Sequence, residues 1–262
     1  MAAPLTAAPA CGAGTVRTMS TPDSAADTGA LFSSLQHGYR ALVIGASGAI
    51  GAAFVARLQS DARCAGVTAL HRHSTPAIDY ADFDGIAAAA APLRQAAPYA
   101  LIVVATGALH SAGAMPEKRL ADIDADALMA QLRINTVGPA LLLRHLAPLL
   151  DAKRSVMALL SAKVGSIGDN RLGGWYGYRA SKAALNMLVK TAAIEMRRSH
   201  PGAVLVALHP GTVRSALSRP FRGDQIARDP ALAVAQMAAT LDALQAEDSG
   251  SFVAYDGTRL PW

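Results

Sequence analysis

The chain has 262 residues, 52% of them hydrophobic and 16% charged, which is enough apolar material for one large core in a single α/β domain. Lys and Arg exceed Asp and Glu by 24 − 19 = 5, but they are scattered, so the excess suits small anionic ligands and no nucleic-acid partner is expected. Cys11 and Cys64 form no C-x-x-C and the histidines make no close ligand set, so no disulfide framework or metal site is expected and a reducing, cytoplasmic compartment fits.

Residues 1–38 are rich in Ala, Thr, Ser, Pro and Gly and lack a basic start followed by an apolar core. They read as a disordered leader, not a signal peptide. From residue 39 strands and helices alternate. "RALVI" (40–44) is a strand, "GASGAIG" (45–51) a turn and 52–60 a helix. "GVTAL" (66–70) is a second strand, "PAID" (76–79) a weak third, and 83–97 an alanine-rich helix. "YALIVVAT" (99–106) is the clearest strand. A long helix is expected over 124–150, a strand over 155–161, a helix over 178–199, a strand over 203–209, a helix over 231–245 and a last strand over 251–255. This pattern predicts a doubly wound parallel sheet in one Rossmann-type domain, residues 39–262. The longest apolar stretch, "VGPALLLRHLAPLL", is broken by Arg144, His145 and Pro148 and is too short to cross a membrane.

Gly45, Gly48 and Gly51 stand between the first strand and the first helix, where a dinucleotide's pyrophosphate would meet helix N–H groups. Read blandly, the same glycines only punctuate a turn. At the end of the second strand "LHRHS" (70–74) offers Arg72, with His71 beside it, and no carboxylate. A guanidinium there would pair a 2′-phosphate, so NADP(H) is favoured over NAD(H). A solvated loop arginine is the alternative. Asp79 is either an adenine contact or a cap or turn residue.

In "GWYGYRASKAALN" (174–186), Tyr178 and Lys182 lie four apart and share a helix face. A cation beside a phenol favours phenolate and lowers its pKa, so the pair could pass a proton to or from a carbonyl or alcohol oxygen. A surface Tyr and Lys on an amphipathic helix would look the same.

The order of "IGASGAIG", Asn135 in "INTVGPALLL", "YRASKAALN" and "HPGTVRS" resembles the short-chain dehydrogenase/reductase family over about residues 39–262. "ATGALH", "SIGDN" and the closing "YDGTRLPW" are most similar to its small C-factor-like oxidoreductases. The resemblance implies Tyr178 as acid/base, Lys182 as its partner and ribose contact, and Asn135 as holder of a relay water. It implies Gly45, Ser47, Gly48, Ile50, Gly51, Arg72, Asp79 and Gly107 at the cofactor, with Pro210, Gly211 and Val213 at the nicotinamide. The family's substrate-binding serine falls on Ala162 here, which leaves Ser161 or Ser166 as candidates. Val104-Ala105-Thr106-Gly107 replaces the usual asparagine-bearing motif, and with it the usual asparagine bracing. Residues 213–229 would form a lid, and Trp175, Tyr176, Leu217 and Phe221 a pocket wall.

The reading is an NADP(H)-dependent oxidoreductase acting on a small carbonyl or alcohol. A nucleotide-sensing or signalling protein of the same fold is the alternative, favoured by Ala162. A sugar-nucleotide epimerase or dehydratase is the other, disfavoured by the short chain after Lys182. Apolar residues on more than one face of the helices at 124–150 and 178–199, among them Leu141, Leu142, Leu143, Leu146, Leu149, Leu150, Met187 and Ile194, point to a homodimer or homotetramer.

Overall fold

The structure, a computed structural model, describes residues 31–109, 115–221 and 227–262. Six strands, β1 (Tyr39–Ile44), β2 (Cys64–Leu70), β3 (Leu101–Val104), β4 (Ser155–Leu160), β5 (Ala203–His209) and β6 (Phe252–Ala254), form one parallel sheet in the order β2-β1-β3-β4-β5-β6. The strands are nearly continuous apolar runs because both faces are covered. Odd and even residues divide between two cores. Leu42, Ile44, Ile102, Met157 and Leu205 lie in one, and Val43, Val103, Val156, Val204 and Val206 in the other.

Helices α1 (Ala49–Gln59), α2 (Phe83–Leu93), α3 (Ala125–Leu132), α4 (Gly138–Leu146), α5 (Tyr176–Met196) and α6 (Pro230–Ala243) flank the sheet. Asp82, Asp124 and Asp229 accept N–H groups at the starts of α2, α3 and α6, which explains where those helices begin. Chain order reverses at β1, whose neighbours are β2 and β3. The crevice above such a switch point is where doubly wound sheets bind ligands.

Several expectations need correction. Residues 76–79 are not a strand. Ser74 Oγ holds the backbone of His71 and Pro76, and Asp79 Oδ1 accepts the Ala81 N–H at 2.9 Å. The segment therefore closes into turns instead of pairing with β2. The leader does not extend to residue 38. Leu31, Phe32 and Leu35 are buried. Asp242 accepts from the N–H and hydroxyl groups of Ser33 and Ser34 at 2.5–2.9 Å, and Asp61 accepts from the Leu31 N–H and the Tyr39 hydroxyl. Residues 1–30 lie outside the described residues.

The single helix expected over 124–150 is interrupted by a π-helical turn, Arg133–Val137, and ends in a 3-10 turn, Ala147–Leu149. Leu142, Leu143, Leu146, Leu149 and Leu150 all serve the chain's own core. Of the apolar residues expected to face outward, Met187 and Ile194 on α5 are exposed, and Met129 and Val137 are exposed as well. No helix among the described residues is long and apolar enough to cross a membrane.

Candidate active site

Sequence-expected residues from four strand ends meet above the C-terminal edge of the sheet. After β1 the chain turns tightly at Gly45, which has φ +84°. A Cβ at Gly45 would lie 2.7 Å from the Ala105 carbonyl oxygen, and one at Gly51 would collide with the Gly45 backbone. So α1 can approach the ends of β1 and β3 only with glycine at both positions. Gly48 caps α1 without any side-chain hydrogen bond, and the first helical N–H groups stay available for an anion. Ser47, Ala46, Ala69 and His71 line a shallow depression beside this turn. Arg72, which follows His71, is exposed. Asp79 is exposed too but lines a separate depression with Pro76, Asp82 and Gly85, and its carboxylate forms the turn to Ala81.

After β3, Gly107 sits over two buried polar groups. A Cβ there would be 3.3 Å from both Asn135 Oδ1 and Lys182 Nζ. Asn135 lies in the π turn and is fully buried. Its Oδ1 accepts the Ala108 N–H at 2.9 Å, and its Nδ2 donates to Ala108 O, Gln131 Oε1 and Ser181 Oγ. Its two N–H bonds thus meet three acceptors within the chain, while Oδ1 keeps a second lone pair. The strand bracing judged absent from the altered motif is supplied here by Asn135, and by Tyr80, whose hydroxyl meets Thr106 Oγ1 at 2.7 Å.

Lys182 is 2% exposed. Its Nζ donates to the Leu160 carbonyl at 2.9 Å and lies 5.9 Å from the Tyr178 ring centroid. Burial pulls the Lys182 amine down to about 7 and pushes the Tyr178 phenol up to about 12. Burial thus drives both groups toward their neutral forms. For the phenol, burial acts against the lowering by a neighbouring cation that the spacing suggests.

Ser161 is buried, and its hydroxyl donates to Asn186 Oδ1 at 2.6 Å. It points at the middle of α5, as strand alternation from Leu160 requires. Ser166 is also buried and accepts the Asp169 N–H at 3.1 Å. Among the described residues neither hydroxyl is hydrogen-bonded to Tyr178.

After β5, the main chains of Val213 and Arg228 pair, with Arg214 N–H to Arg228 O and Arg228 N–H to Thr212 O, both at 3.0 Å. This closes the base of the segment expected to be a lid, of which residues 222–226 lie outside the described residues. The Arg228 guanidinium stacks 3.4 Å from the Tyr255 ring centroid and donates to Pro210 O at 2.5 Å, so the Pro210-Gly211 turn is held from above.

Two contributors were missed from sequence. Glu117, some sixty residues earlier in the chain, accepts the Gly177 N–H with its carboxylate at 3.2 Å and the Trp175 N–H with its carbonyl at 2.5 Å. It caps α5, which has no capping side chain of its own. No local sequence pattern marks a partner that far along the chain. His209 Nδ1 accepts the Lys163 N–H at 3.2 Å, and burial lowers its pKa to about 4, so the ring is neutral and joins the loops after β4 and β5.

A family model described as enoyl-(acyl carrier protein) reductase matches residues 50–259. A 1-hydroxy-2-glutathionyl-2-methyl-3-butene dehydrogenase from Rhodococcus sp. (strain AD45) is 34% identical over 203 residues, covering 78% of this chain and 84% of that protein. The C-signal protein of Myxococcus xanthus is 37% identical over 145 residues, covering 55% of this chain and 83% of its own length. In shape, the chain is similar to the crystal structure of an NADPH-bound carbonyl reductase from chicken fatty liver, with a TM-score of 0.73, 24% identity and coverage of 87% of this chain and 96% of that one.

Proposed function

The chain belongs to the short-chain dehydrogenase/reductase family of oxidoreductases, and we propose that it is an NADP(H)-dependent reductase of a small carbonyl compound, or dehydrogenase of the matching alcohol, with Tyr178 as its acid/base. The observation that carries this reading is the meeting of Gly107, Asn135, Tyr178 and Lys182 above the uncapped start of α1.

The residues present fit a dinucleotide. Gly45 and Gly51 leave backbone where side chains would block it, and α1 offers free N–H groups to a pyrophosphate. Arg72 beside the depression at Ser47 and His71 suits a 2′-phosphate. The NADPH-bound carbonyl reductase of similar fold agrees with that choice. Ile50, Pro210, Gly211 and Val213 belong to the same proposed contact set. A bound NADP(H) supplies or accepts the hydride.

Everything else falls to the chain. Tyr178 keeps its proton across neutral pH because burial raises its pKa, so it is ready to donate to a carbonyl oxygen in the reductive direction. Lys182 holds the ribose and, when charged, favours the phenolate left behind. Asn135 acts by position, fixing the strand end at Ala108. Ser161 is assigned to the scaffold through Asn186, and the hydrogen bond lost at Ala162 is left to water or backbone. The proposed cytoplasmic placement rests on the sparse cysteines, two without a C-x-x-C, and a homodimer or homotetramer on the exposed Val137, Met187 and Ile194.

The signalling alternative draws on Ala162 and on the relative named C-signal. A screen of aldehydes and ketones with NADPH, followed at the loss of its absorbance, separates the two. Turnover of any carbonyl at enzymatic rates supports the reductase, and tight NADPH binding with no turnover supports the sensor.

A further inference from the structure

Gly173, Gly174 and Trp175 follow one another with φ of +63°, +65° and +54°. Three left-handed residues in a row make a sharp reversal, and at Trp175 the side chain opposes that conformation. Such a residue stays put only when its surroundings hold it. Arg179 does so from inside the helix. Its Nε donates to Gly174 O at 2.9 Å and Gly173 O at 3.2 Å, its second terminal nitrogen to Gly173 O at 3.0 Å, and its first to Val164 O at 3.2 Å. The acceptors are all main-chain carbonyls. A planar fork with five donors reaches three carbonyls spread across its width, whereas a lysine gathers its three donors on one nitrogen. On the other side Glu117 fixes the Trp175 N–H.

The result is a fixed indole. Its ring centroid lies 6.3 Å from that of Tyr178 at 66° and 5.2 Å from that of Phe221 at 60°. Both are favourable edge-to-face arrangements. A wall already ordered before binding costs a ligand no ordering of its own.

We propose that Arg179 is a positioning residue for the carbonyl reduction proposed above: by clasping the carbonyls of Val164, Gly173 and Gly174 it fixes Trp175 as a preformed aromatic wall beside Tyr178, and this wall selects carbonyl compounds carrying a flat apolar group next to the C=O. The substrate half of this inference rests on the reductase reading.

Trp175 and Trp262 are the two tryptophans of the chain, so Trp262→Phe leaves Trp175 as the single indole reporter. Arg179→Gln and Arg179→Lys are made in that background. For Arg179→Gln, the Trp175 emission of the unliganded protein moves to longer wavelength and acrylamide quenches it more strongly. NADPH affinity stays within about twofold of the parent. The ratio of kcat/KM for an aryl methyl ketone over a straight-chain ketone falls about tenfold, and Arg179→Lys recovers part of it. An unchanged emission and quenching, or a ratio within about twofold of the parent, overturns the proposal. So does loss of NADPH binding in both variants, which makes Arg179 a residue of the fold alone. If the parent binds NADPH but reduces neither ketone nor any other carbonyl of the screen, the reductase reading fails, while the emission still decides whether Arg179 holds Trp175. If it reduces other carbonyls but not the aryl ketone, the selection proposed for the wall is overturned.

Discussion

The ammonium of Lys182 and the ring of Tyr178 face one another at 5.9 Å, and neither has a carboxylate among its partners in the described residues. The pair therefore exchanges charge only with the solvent and whatever binds between β3 and α5. If Tyr178 gives the proton, Tyr178→Phe removes the donor without altering the ring that packs against Trp175. Reduction should fall about 100- to 10,000-fold, with NADPH affinity nearly intact by fluorescence titration. Wild-type-like turnover would sink the assignment.

The depressed pKa of Lys182 carries a pH signature with a definite sign. Its amine titrates near 7 in the folded chain and near 10.4 when unfolded. Between these values the unfolded state binds more protons, so stability rises as pH rises from about 7 to about 10. Below that window the buried charge is a full penalty. Lys182→Met should flatten the rise in chemical denaturation series at pH 6 to 10, and raise stability by a few kcal/mol at pH 6, to order of magnitude. If the ammonium assists Tyr178, kcat/KM for reduction should decline above about pH 7 in the unmodified protein.

The hydroxyl of Ser161 is committed to Asn186. Ser161→Ala should leave kcat/KM within a few-fold but lower stability by about 1–3 kcal/mol, since a buried amide oxygen loses its partner. Ala162→Ser should raise turnover, by up to about 100-fold if the restored hydroxyl reaches a developing oxyanion. Steady-state kinetics and urea denaturation on the two variants check both halves. A loss of activity in Ser161→Ala at unchanged stability contradicts the scaffold role.

Arg72 is exposed and is proposed to meet the 2′-phosphate. One charge-assisted contact is worth roughly 1.5–3 kcal/mol, so NADPH should bind about ten- to a hundredfold tighter than NADH. Arg72→Ala should shrink that ratio by weakening NADPH alone. Equal affinity of the unmodified protein for both would remove the NADP(H) assignment.

Met187 is 65% exposed and Ile194 57% exposed, two turns apart on the outer side of α5. If a second copy covers them, Met187→Lys with Ile194→Glu should give a monomer by light scattering at micromolar concentration. A monomeric unmodified protein at that concentration counts against the dimer.

Local features were legible in the chain itself. Gly45 is required by its positive φ and Gly51 by the Gly45 backbone within the same turn, and the apolar runs of β3, β4 and β5 follow from burial on both faces. The strand expected at 76–79 failed because the side chains of Ser74 and Asp79 bind their own backbone, a competition that apolar pattern does not register. Asn135 could be picked out, yet its partners could not, because the π turn that aims it at Ala108 has no marker in residue spacing. Glu117 at the start of α5 and Asn186 beneath Ser161 are long-range partners. Pairing across that much chain is set by the assembled sheet, not by neighbours.

The same separation bears on how the chain is made. Ser33 and Ser34 are secured by Asp242, 209 and 208 positions away, and Phe32 and Leu35 pack in the core that includes Val234, Met237 and Leu241. On the ribosome, the first strands emerge long before α6 exists to receive them. Until residue 242 has left the exit tunnel, Phe32 and Leu35 lack the part of their cover that α6 supplies, and such an interval favours aggregation of nascent chains. Asp242→Ala should therefore reduce the soluble yield from rapid expression more than it reduces the activity of the protein recovered, because its contacts lie at the opposite end of the strands from Tyr178.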